Sequence, residues 1–272
     1  MEGLQERLGK IAIIGGGQMG EAIVAGLVSG ALFDAEKIYV AEPFENRREL
    51  LSSQYGVTCV EEGYQLPTVE TVILAVKPQV FTDVAAGLAA AESFQPKRVA
   101  SIAAGVSTLV MSRYFTGCAV IRVMPNINLC VSAGMSVVAP AEDTSTSEAE
   151  LIRELFSLMG EAVILDESLI DAATAVNGSG PAYYALFTEE LAKSGIDAGL
   201  PEDIAWLLAR QTIIGTGRYL ELKDVTPADL RAAVTSPNGT TQAALDCFTA
   251  QHLDLVIRNA FAACVRRAKE LG

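Results

Sequence analysis

A glycine-rich stretch at residues 10–27, KIAIIGGGQMGEAIVAGL, constrains the fold more than any other segment. The apolar run at 11–14 predicts a buried parallel strand, and the residues after the glycines have helical periodicity. Gly15, Gly17 and Gly20 have the G-x-G-x-x-G spacing, which permits a tight turn, a close approach of a pyrophosphate and close helix packing. The helix start would offer free N–H groups to phosphate. The dinucleotide-contacting residues predicted here are Gly15, Gly17, Gln18, Met19 and Gly20.

The sequence pattern changes near residue 166. Before it, strands and helices alternate, which predicts a doubly wound parallel sheet, and after it only helical periodicity remains. The helices are expected at about 168–194, 202–221, 227–233, 239–249 and 251–271. We therefore predict a Rossmann-like α/β domain at 1–166 and an all-α domain at 167–272. These helices contain more apolar residues than a domain of this size needs for its own core, so we expect a shared dimer interface.

Composition excludes several classes of partner. A net charge of −13 argues against nucleic acid and anionic membranes, and no apolar run has the length of a membrane span. Five widely spaced cysteines without a C-x-x-C motif, and an N-terminus with no signal-like region, suit a cytoplasmic protein. The single histidine, His252, argues against a metal site, and we interpret it as a packing or surface residue of the terminal helix.

Two features after the second predicted strand (37–41) bear on the cofactor. Glu42 lies roughly 20 residues past the glycine loop, where an acidic residue can bind the ribose 2′-hydroxyl of NAD. Arg47 and Arg48 follow, and either could instead neutralise a 2′-phosphate. The acid favours NADH and the arginines leave NADPH open, while a solvated glutamate is the alternative without function.

Two further segments are candidates for a ligand crevice. The apolar strand at 70–76 ends at Lys77, which lies beside the cofactor or is a surface lysine, and the small residues 103–105 would let a flat ring approach. In the helical half, TSPNGTT (235–241) predicts a turn and a helix start that could bind a carboxylate, or that only caps a helix. Gly178 to Pro181, within the helix expected at 168–194, predicts a kink that serves packing or function.

Several motifs together resemble the pyrroline-5-carboxylate reductase family, and the resemblance runs from the glycine loop to the final helix. The most specific one is DLRAAVTSPNGTTQAAL (229–245). The others are VKPQ (76–79), SIAAG (101–105), RVMPN (122–126) and GSGPAY (178–183). The resemblance implies an N-terminal Rossmann domain, a C-terminal dimerisation domain, and a substrate site where the cofactor of one subunit faces helices of its partner.

The resemblance also implies residue roles. The nicotinamide side would be lined by Ala75, Val76, Lys77, Pro78, Ala103 and Ala104. The substrate carboxylate would be held by Ser236, Asn238, Gly239, Thr240 and Thr241, with the Thr241 hydroxyl reaching the ring nitrogen. Asp224 falls where some members have a glutamate near that nitrogen, and the position of an adenosine-contacting asparagine in some members falls near Gly63, so the resemblance does not define the adenine contacts.

The implied activity is the NADPH- or NADH-dependent reduction of 1-pyrroline-5-carboxylate to L-proline by a homodimer, with a decamer of dimers as an open alternative. The chemistry agrees, because a protonated imine accepts hydride directly and needs orientation more than a strong proton donor. A 3-hydroxyacid or 6-phosphogluconate-type dehydrogenase would be expected to have a lysine at the position of Tyr184, which disfavours that class. A related cyclic-imine reductase and a silent nucleotide-binding paralogue are the remaining alternatives.

Overall fold

A computed structural model describes residues 3–29 and 33–271. The chain divides into two compact units. Unit 1 comprises the described residues within Met1–Gly178 and Val265–Gly272, and unit 2 is Ser179–Cys264. The boundary expected at residue 166 separates a cofactor-binding domain from a helical domain, whereas the two units are defined by contacts alone. The expected boundary therefore stays a prediction.

In the described part of unit 1, eight strands form one sheet. The strands are β1 (Ile11–Ile14), β2 (Ile38–Ala41), β3 (Thr58–Val60), β4 (Thr71–Leu74), β5 (Arg98–Ser101), β6 (Ala119–Met124), β7 (Gly134–Pro140) and β8 (Gly160–Ile164). Their order is β3-β2-β1-β4-β5-β6-β7-β8, so the chain reverses direction across the sheet between β1 and β4. The predicted α/β class is therefore confirmed.

The expected doubly wound sheet is parallel at most of its strand pairs, but one pair near its edge is antiparallel. The strands β1 to β6 pair with one another in parallel, whereas β7 is antiparallel to β6, and β8 is parallel to β7. Residues 125–133, which join β6 to β7, contain only a 3₁₀ turn. A parallel return needs a longer crossover, usually with a helix, so this short connection reverses the strand.

Helices cover both faces of the sheet. They are α1 (Leu4–Leu8), α2 (Gln18–Val28), α3 (Glu45–Tyr55), α4 (Pro78–Ala90), α5 (Thr108–Ser112), α6 (Thr146–Ser157) and α7 (Ile170–Ala173). Alternate residues of β1 enter opposite core clusters, with Ile11 and Ile13 in one and Ala12 and Ile14 in the other. The first cluster contains apolar residues of α1, α2, α3 and α6, and the second contains those of α4 and α5.

Unit 2 is helical. It contains α8 (Gly180–Asp197), α9 (Glu202–Lys223), α10 (Pro227–Ala233) and α11 (Thr240–Ala250), and α12 (Leu253–Leu271) begins in it. α8 and α9 form an antiparallel-type pair joined by the short connection at 198–201, and Gly199 there has a left-handed φ of 98°. Among the described residues, no helix combines the length and apolar character needed to cross a bilayer.

Two details of the helical half differ from expectation. The helix expected at 168–194 is divided into α7, a π-helical turn at 174–178 and α8, and Pro181 lies in the first turn of α8. A proline costs nothing at that position, because the first N–H groups of a helix have no partner within it, so no kink is needed. His252 lies in the turn between α11 and α12 with a φ of 53°, not inside the terminal helix, and it is exposed.

Candidate functional site

The carboxyl ends of three parallel strands meet at one edge of the sheet. The Gly15 N–H donates to Ala41 O (2.8 Å), and the Ala75 N–H donates to Ile14 O (2.8 Å). The segments after β1, β2 and β4 therefore lie side by side where the strand order reverses. This is the position at which open α/β sheets bind ligands.

The glycine loop is shaped by close backbone contacts. Gly15 has a φ of 103°, and a Cβ on it would lie 2.7 Å from Ala75 O. A Cβ on Gly20 would clash with the carbonyl oxygen of Gly15. In contrast, a Cβ on Gly17 would meet nothing within 4 Å, so the loop is open at this point. Two glycines are thus required by the fold, and the third leaves room at the surface.

The open point coincides with the start of α2. Gly17 is the N-cap residue, with extended backbone and no side-chain cap, so the first N–H groups of the helix are uncapped by Gly17. Gly17 and Gln18 are exposed and Met19 is half-buried. Free N–H groups and the positive end of the helix dipole favour an anion. The residues present therefore fit a pyrophosphate, as the spacing predicts.

Glu42 and Arg47 both bond to the loop. Glu42 is 6 % exposed, and its carboxylate accepts the Gly16 N–H (2.7 Å) and the Phe44 N–H (3.1 Å). Arg47 donates to Gly16 O from Nε (3.1 Å) and Nη2 (2.6 Å). Arg48 donates from Nη1 to the carbonyl oxygens of Glu42 (2.8 Å) and Pro43 (2.7 Å).

Sequence reasoning missed the outer part of this network. Glu21 accepts from Arg47 Nη2 (2.7 Å) and from the Tyr55 hydroxyl (3.1 Å). Burial and the Glu21 carboxylate raise the pKa of Tyr55. Glu21 and Tyr55 lie on α2 and α3, and 34 residues separate them. No local spacing rule links residues so far apart, so the sequence carries no signal for this contact.

The other predicted cofactor residues follow β4 and β5. Lys77 is exposed and is the N-cap residue of α4, and Pro78 is its first residue. Ala75 and Val76 are half-buried. After β5, Ala103 is buried and Ala104 is exposed. Ile102 N–H donates to Leu74 O (3.0 Å), so these two segments also leave the sheet as neighbours.

A pair of buried asparagines joins the end of β6 to the π-helical turn. Asn126 Nδ2 donates to Asn177 O (3.1 Å), and Asn177 Nδ2 donates to Met124 O and Met135 O (3.0 Å each). The sequence alone assigned no role to Asn126 or Asn177. A π-helical turn often occurs at functional sites, but periodicity at 3.6 residues does not reveal one.

The predicted substrate segment is described within unit 2. Asn238 has a left-handed φ of 59°, and the Gly239 N–H donates to Ser236 O (3.0 Å), which closes the turn. Gly239 is the N-cap residue of α11 and supplies no side-chain cap. Thr240 and Thr241 occupy the first turn of α11, and Thr241 is half-buried. A Cβ on Gly239 would crowd the Ser236 hydroxyl and would lie 3.0 Å from the Ser236 carbonyl oxygen, so the turn is tightly packed at this position.

Asp224 ends α9 in a left-handed conformation with a φ of 48° and is exposed. A capping box begins the next helix, α10. In it Thr226 Oγ1 accepts the Asp229 N–H (3.1 Å), and the Asp229 carboxylate accepts the Thr226 N–H (3.0 Å). The hydrogen bonds from Thr226 lower the pKa of Asp229. The turn between α9 and α10 is therefore fixed on its helix-start side.

One cluster of reactive groups lies outside the predicted set. Ser179 Oγ is 3.3 Å from Cys264 Sγ, and hydrogen bonding to Cys264 together with burial raises the pKa of Tyr183. Among residues 3–29 and 33–271, no three His, Cys, Asp or Glu side chains are grouped to hold a metal ion.

Comparison with known proteins extends this picture. Residues 10–105 match a family model described as NADP oxidoreductase, coenzyme F420-dependent. Residues 167–271 match the model described as pyrroline-5-carboxylate reductase dimerisation. The strand order reverses beside a glycine loop that fits a pyrophosphate, and a helical region of this family follows. Together these features define a nicotinamide-dependent oxidoreductase of the Rossmann class.

Individual relatives are similar along their whole length. A pyrroline-5-carboxylate reductase of Synechocystis is 40 % identical over 264 residues, covering 97 % of this chain and 98 % of the relative. The structure of a pyrroline-5-carboxylate reductase from Coxiella burnetii has a TM-score of 0.90 at 30 % identity, and the match covers 97 % of this chain and 99 % of the other. The one from Streptococcus pyogenes has a TM-score of 0.82 at 28 % identity, covering 96 % and 98 %. The chain belongs to the pyrroline-5-carboxylate reductase family.

Proposed function

We propose that this chain reduces 1-pyrroline-5-carboxylate to L-proline with NADPH or NADH, the final step of proline biosynthesis. The observation that carries the proposal is the similarity to reductases of this name along nearly the whole chain, at 40 % identity in the Synechocystis relative. Both the anion-binding loop and the SPNGTT segment are intact, and a silent paralogue would be expected to lose one of them.

The cofactor side belongs to residues 1–166. The open loop at Gly17, with Gly15, Gln18, Met19 and Gly20, holds the pyrophosphate at the start of α2. The nicotinamide ring lies against the segments that leave β4 and β5, which are Ala75, Val76, Lys77, Pro78, Ala103 and Ala104. The small side chains of the latter segment permit close approach of a flat ring. The bound cofactor supplies the hydride.

The substrate side belongs to residues 167–272. The free N–H groups at the start of α11 favour a carboxylate, and Ser236, Asn238, Gly239 and Thr240 surround that position in sequence. The Thr241 hydroxyl holds the ring nitrogen and orients the imine carbon. Asp224 contributes a negative charge that favours the protonated imine over the neutral one. The product amine takes up its proton afterwards, so no strong acid is required.

The protein acts as a homodimer, with the substrate segment contributed by the partner chain. Support comes from the dimerisation model that matches 167–271 and from the exposed apolar side chains of unit 2. Many exposed apolar side chains on one helical unit are typical of a protein–protein interface. A decamer of dimers is the larger assembly that this interface would leave possible. The five cysteines are free thiols, which favours a reducing compartment such as the cytoplasm.

Steady-state kinetics of the purified protein test the proposal. Oxidation of NADPH or NADH that depends on added 1-pyrroline-5-carboxylate, with L-proline as product, is the expected result. Cofactor binding without turnover would support the silent paralogue. A higher kcat/KM on the six-membered cyclic imino acid than on 1-pyrroline-5-carboxylate would make a related cyclic imine the substrate.

A further inference from the structure

The Gly16 residue of the glycine loop is held from two sides by charged side chains. The Glu42 carboxylate accepts its N–H (2.7 Å), and the Arg47 guanidinium donates twice to its carbonyl oxygen (3.1 and 2.6 Å). A Cβ on Gly16 would lie 2.7 Å from Leu51 Cδ1 and 3.2 Å from Glu42 Cβ, so the loop packs directly on the Glu42 side chain.

We propose that Glu42 and Arg47 are positioning residues that clamp the Gly16 backbone and fix the shape of the pyrophosphate loop. By this account Glu42 is not a ribose ligand, and it does not set the choice between NADH and NADPH. The proposal rests on the proposed use of a nicotinamide dinucleotide.

The first argument concerns the capacity of Glu42. Each of its carboxylate oxygens already accepts a backbone N–H, from Gly16 and from Phe44, and the residue is 6 % exposed. Hydrogen bonds to a charged acceptor are stronger than neutral ones, so these two bonds hold the side chain beneath the loop. A ribose ligand at the end of β2 needs its carboxylate at the surface.

The second argument concerns the direction of the neighbouring N–H group. In a planar trans peptide the C=O and the N–H point to opposite sides. Because Arg47 holds the carbonyl of Gly16, the N–H of Gly17 in the same peptide points away from the guanidinium. A Cβ on Gly17 faces open space, so this end of the loop is accessible to phosphate. The Glu42 bond occupies the Gly16 N–H, which leaves the N–H groups from Gly17 onward for the anion.

The clamp extends into the helices beside it. Glu21 of α2 accepts from Arg47 Nη2 (2.7 Å) and from the hydroxyl of Tyr55 in α3 (3.1 Å). The Arg47–Glu21 pair is roughly three-quarters buried, which protects it from the screening that weakens surface pairs. Arg47 lies in α3 and therefore connects the loop to both helices. Its guanidinium Nε and Nη2 groups already bond to the protein, at Gly16 and Glu21.

The test measures dissociation constants of NADH and NADPH by nicotinamide fluorescence, without substrate. Glu42→Ala and Arg47→Ala should each weaken both cofactors by about tenfold or more, because charge-assisted hydrogen bonds that order the loop are lost. The ratio of the two constants should stay within about threefold of wild type. Glu45→Gln is the matched control, because it removes an exposed carboxylate of the same segment and should change neither constant by more than about twofold.

Selective loss of NADH binding in Glu42→Ala would overturn the proposal and make Glu42 the ribose ligand. Selective loss of NADPH binding in Arg47→Ala would assign Arg47 to the 2′-phosphate and also overturn it. Unchanged affinities in both variants would overturn it as well. Glu42→Gln keeps the side-chain volume and replaces Glu42→Ala if the latter does not fold.

Amide hydrogen exchange of the cofactor-free protein separates the clamp from the proposed function. The peptide containing residues 15–20 should exchange at least about tenfold faster in Glu42→Gln and Arg47→Ala than in wild type, since the loop loses its anchors. Unchanged exchange would overturn the clamp even in an active reductase. If the wild-type protein binds no nucleotide but the two variants still exchange faster than it does, the clamp is supported and the proposed function fails.

Discussion

Units 1 and 2 differ in how they bury apolar surface. Unit 1 has two large core clusters, one on each face of its sheet, and fully buried side chains as large as Phe81 and Phe156. In the described part of unit 2, Ala192 and Ala205 are the only apolar side chains that are buried. The exposed apolar residues of unit 2 include Tyr184, Leu186, Phe187, Trp206, Leu207, Leu208, Leu222, Val256 and Ile257.

Because of this difference, the two units differ in whether one chain can stabilise them. Burial of apolar surface is the main favourable term in folding, and unit 1 obtains it within the chain. Unit 2 presents its leucines and aromatic residues outward, so in the proposed dimer its core is completed by a second copy. The cofactor loop is thus built on a self-sufficient unit, and the substrate segment on one that needs a partner.

The largest effect is expected from a charge placed on the apolar surface of unit 2. Leu208→Asp on α9 should raise the dimer dissociation constant by about a thousandfold, because burying an unpaired carboxylate costs about 4 kcal/mol. Sedimentation velocity across protein concentrations measures this. Leu109→Asp, on an exposed leucine of α5 in unit 1, is the control and should leave the dimer intact. A fully dimeric Leu208→Asp variant would mean that this face does not form the interface.

The next effect concerns the substrate segment. Thr241→Ala should lower kcat by about a hundredfold, because the hydroxyl that holds the ring nitrogen is lost, while cofactor affinity stays unchanged. Thr241→Ser should restore most of the rate. Thr249→Ala is the control on the same helix, since the Thr249 hydroxyl bonds only to Leu245 O (2.9 Å) among the described residues. Wild-type turnover in Thr241→Ala would remove the proposed role.

Two glycines of the loop separate cofactor binding from folding. Gly17→Ala should weaken cofactor binding by about tenfold without changing the melting temperature, because the methyl group enters open space where phosphate binds. Its φ of −68° is ordinary for alanine. Gly20→Ala should destabilise unit 1 by about 1–3 kcal/mol, because its methyl group meets the Gly15 carbonyl. Equal stability of the two variants would contradict the observed loop.

The smallest effect is a pH dependence in unit 1. Burial, with a contribution from Asp143, raises the pKa of the Cys118 thiol to about 11 from 9.0. The folded state therefore keeps its proton longer than the unfolded state, so the contribution is present below about pH 9 and is lost as the pH rises towards 11. Above pH 9 the free energy of unfolding should fall more steeply in wild type than in Cys118→Ala. Parallel slopes would contradict the burial of this thiol.

Much of unit 1 could be predicted from the sequence, because its information is local. The glycine spacing and the apolar runs located the loop and most strands of the α/β fold. The antiparallel β7 was not predicted, since its direction depends on the length of the connection at 125–133. The buried placement of Glu42 was also beyond the sequence. Position after a strand predicts which edge a side chain reaches, but contacts across 26 residues decide whether it faces ligand or protein.

Unit 2 was harder to predict for another reason. Its helices were located by periodicity, but in the proposed dimer their apolar faces are covered by a second copy, so no contact within one chain explains those faces. The division of the helix expected at 168–194 follows from the π-helical turn and from Pro181, whose position in a first turn cannot be told from a kink by composition. The substrate segment was recognised by its motif.

In the proposed dimer, one active site combines the cofactor loop of one chain with the substrate segment of its partner, and mixed dimers test this arrangement. Gly17→Asp places a carboxylate in the open space where phosphate binds and so removes the cofactor site of one chain, and Thr241→Ala removes the substrate contact of the other. In an equal mixture, half of the dimers are mixed and each has one intact site, which predicts about a quarter of wild-type activity. Tagged mixed dimers that are verified by double purification and recover no activity would contradict the claim.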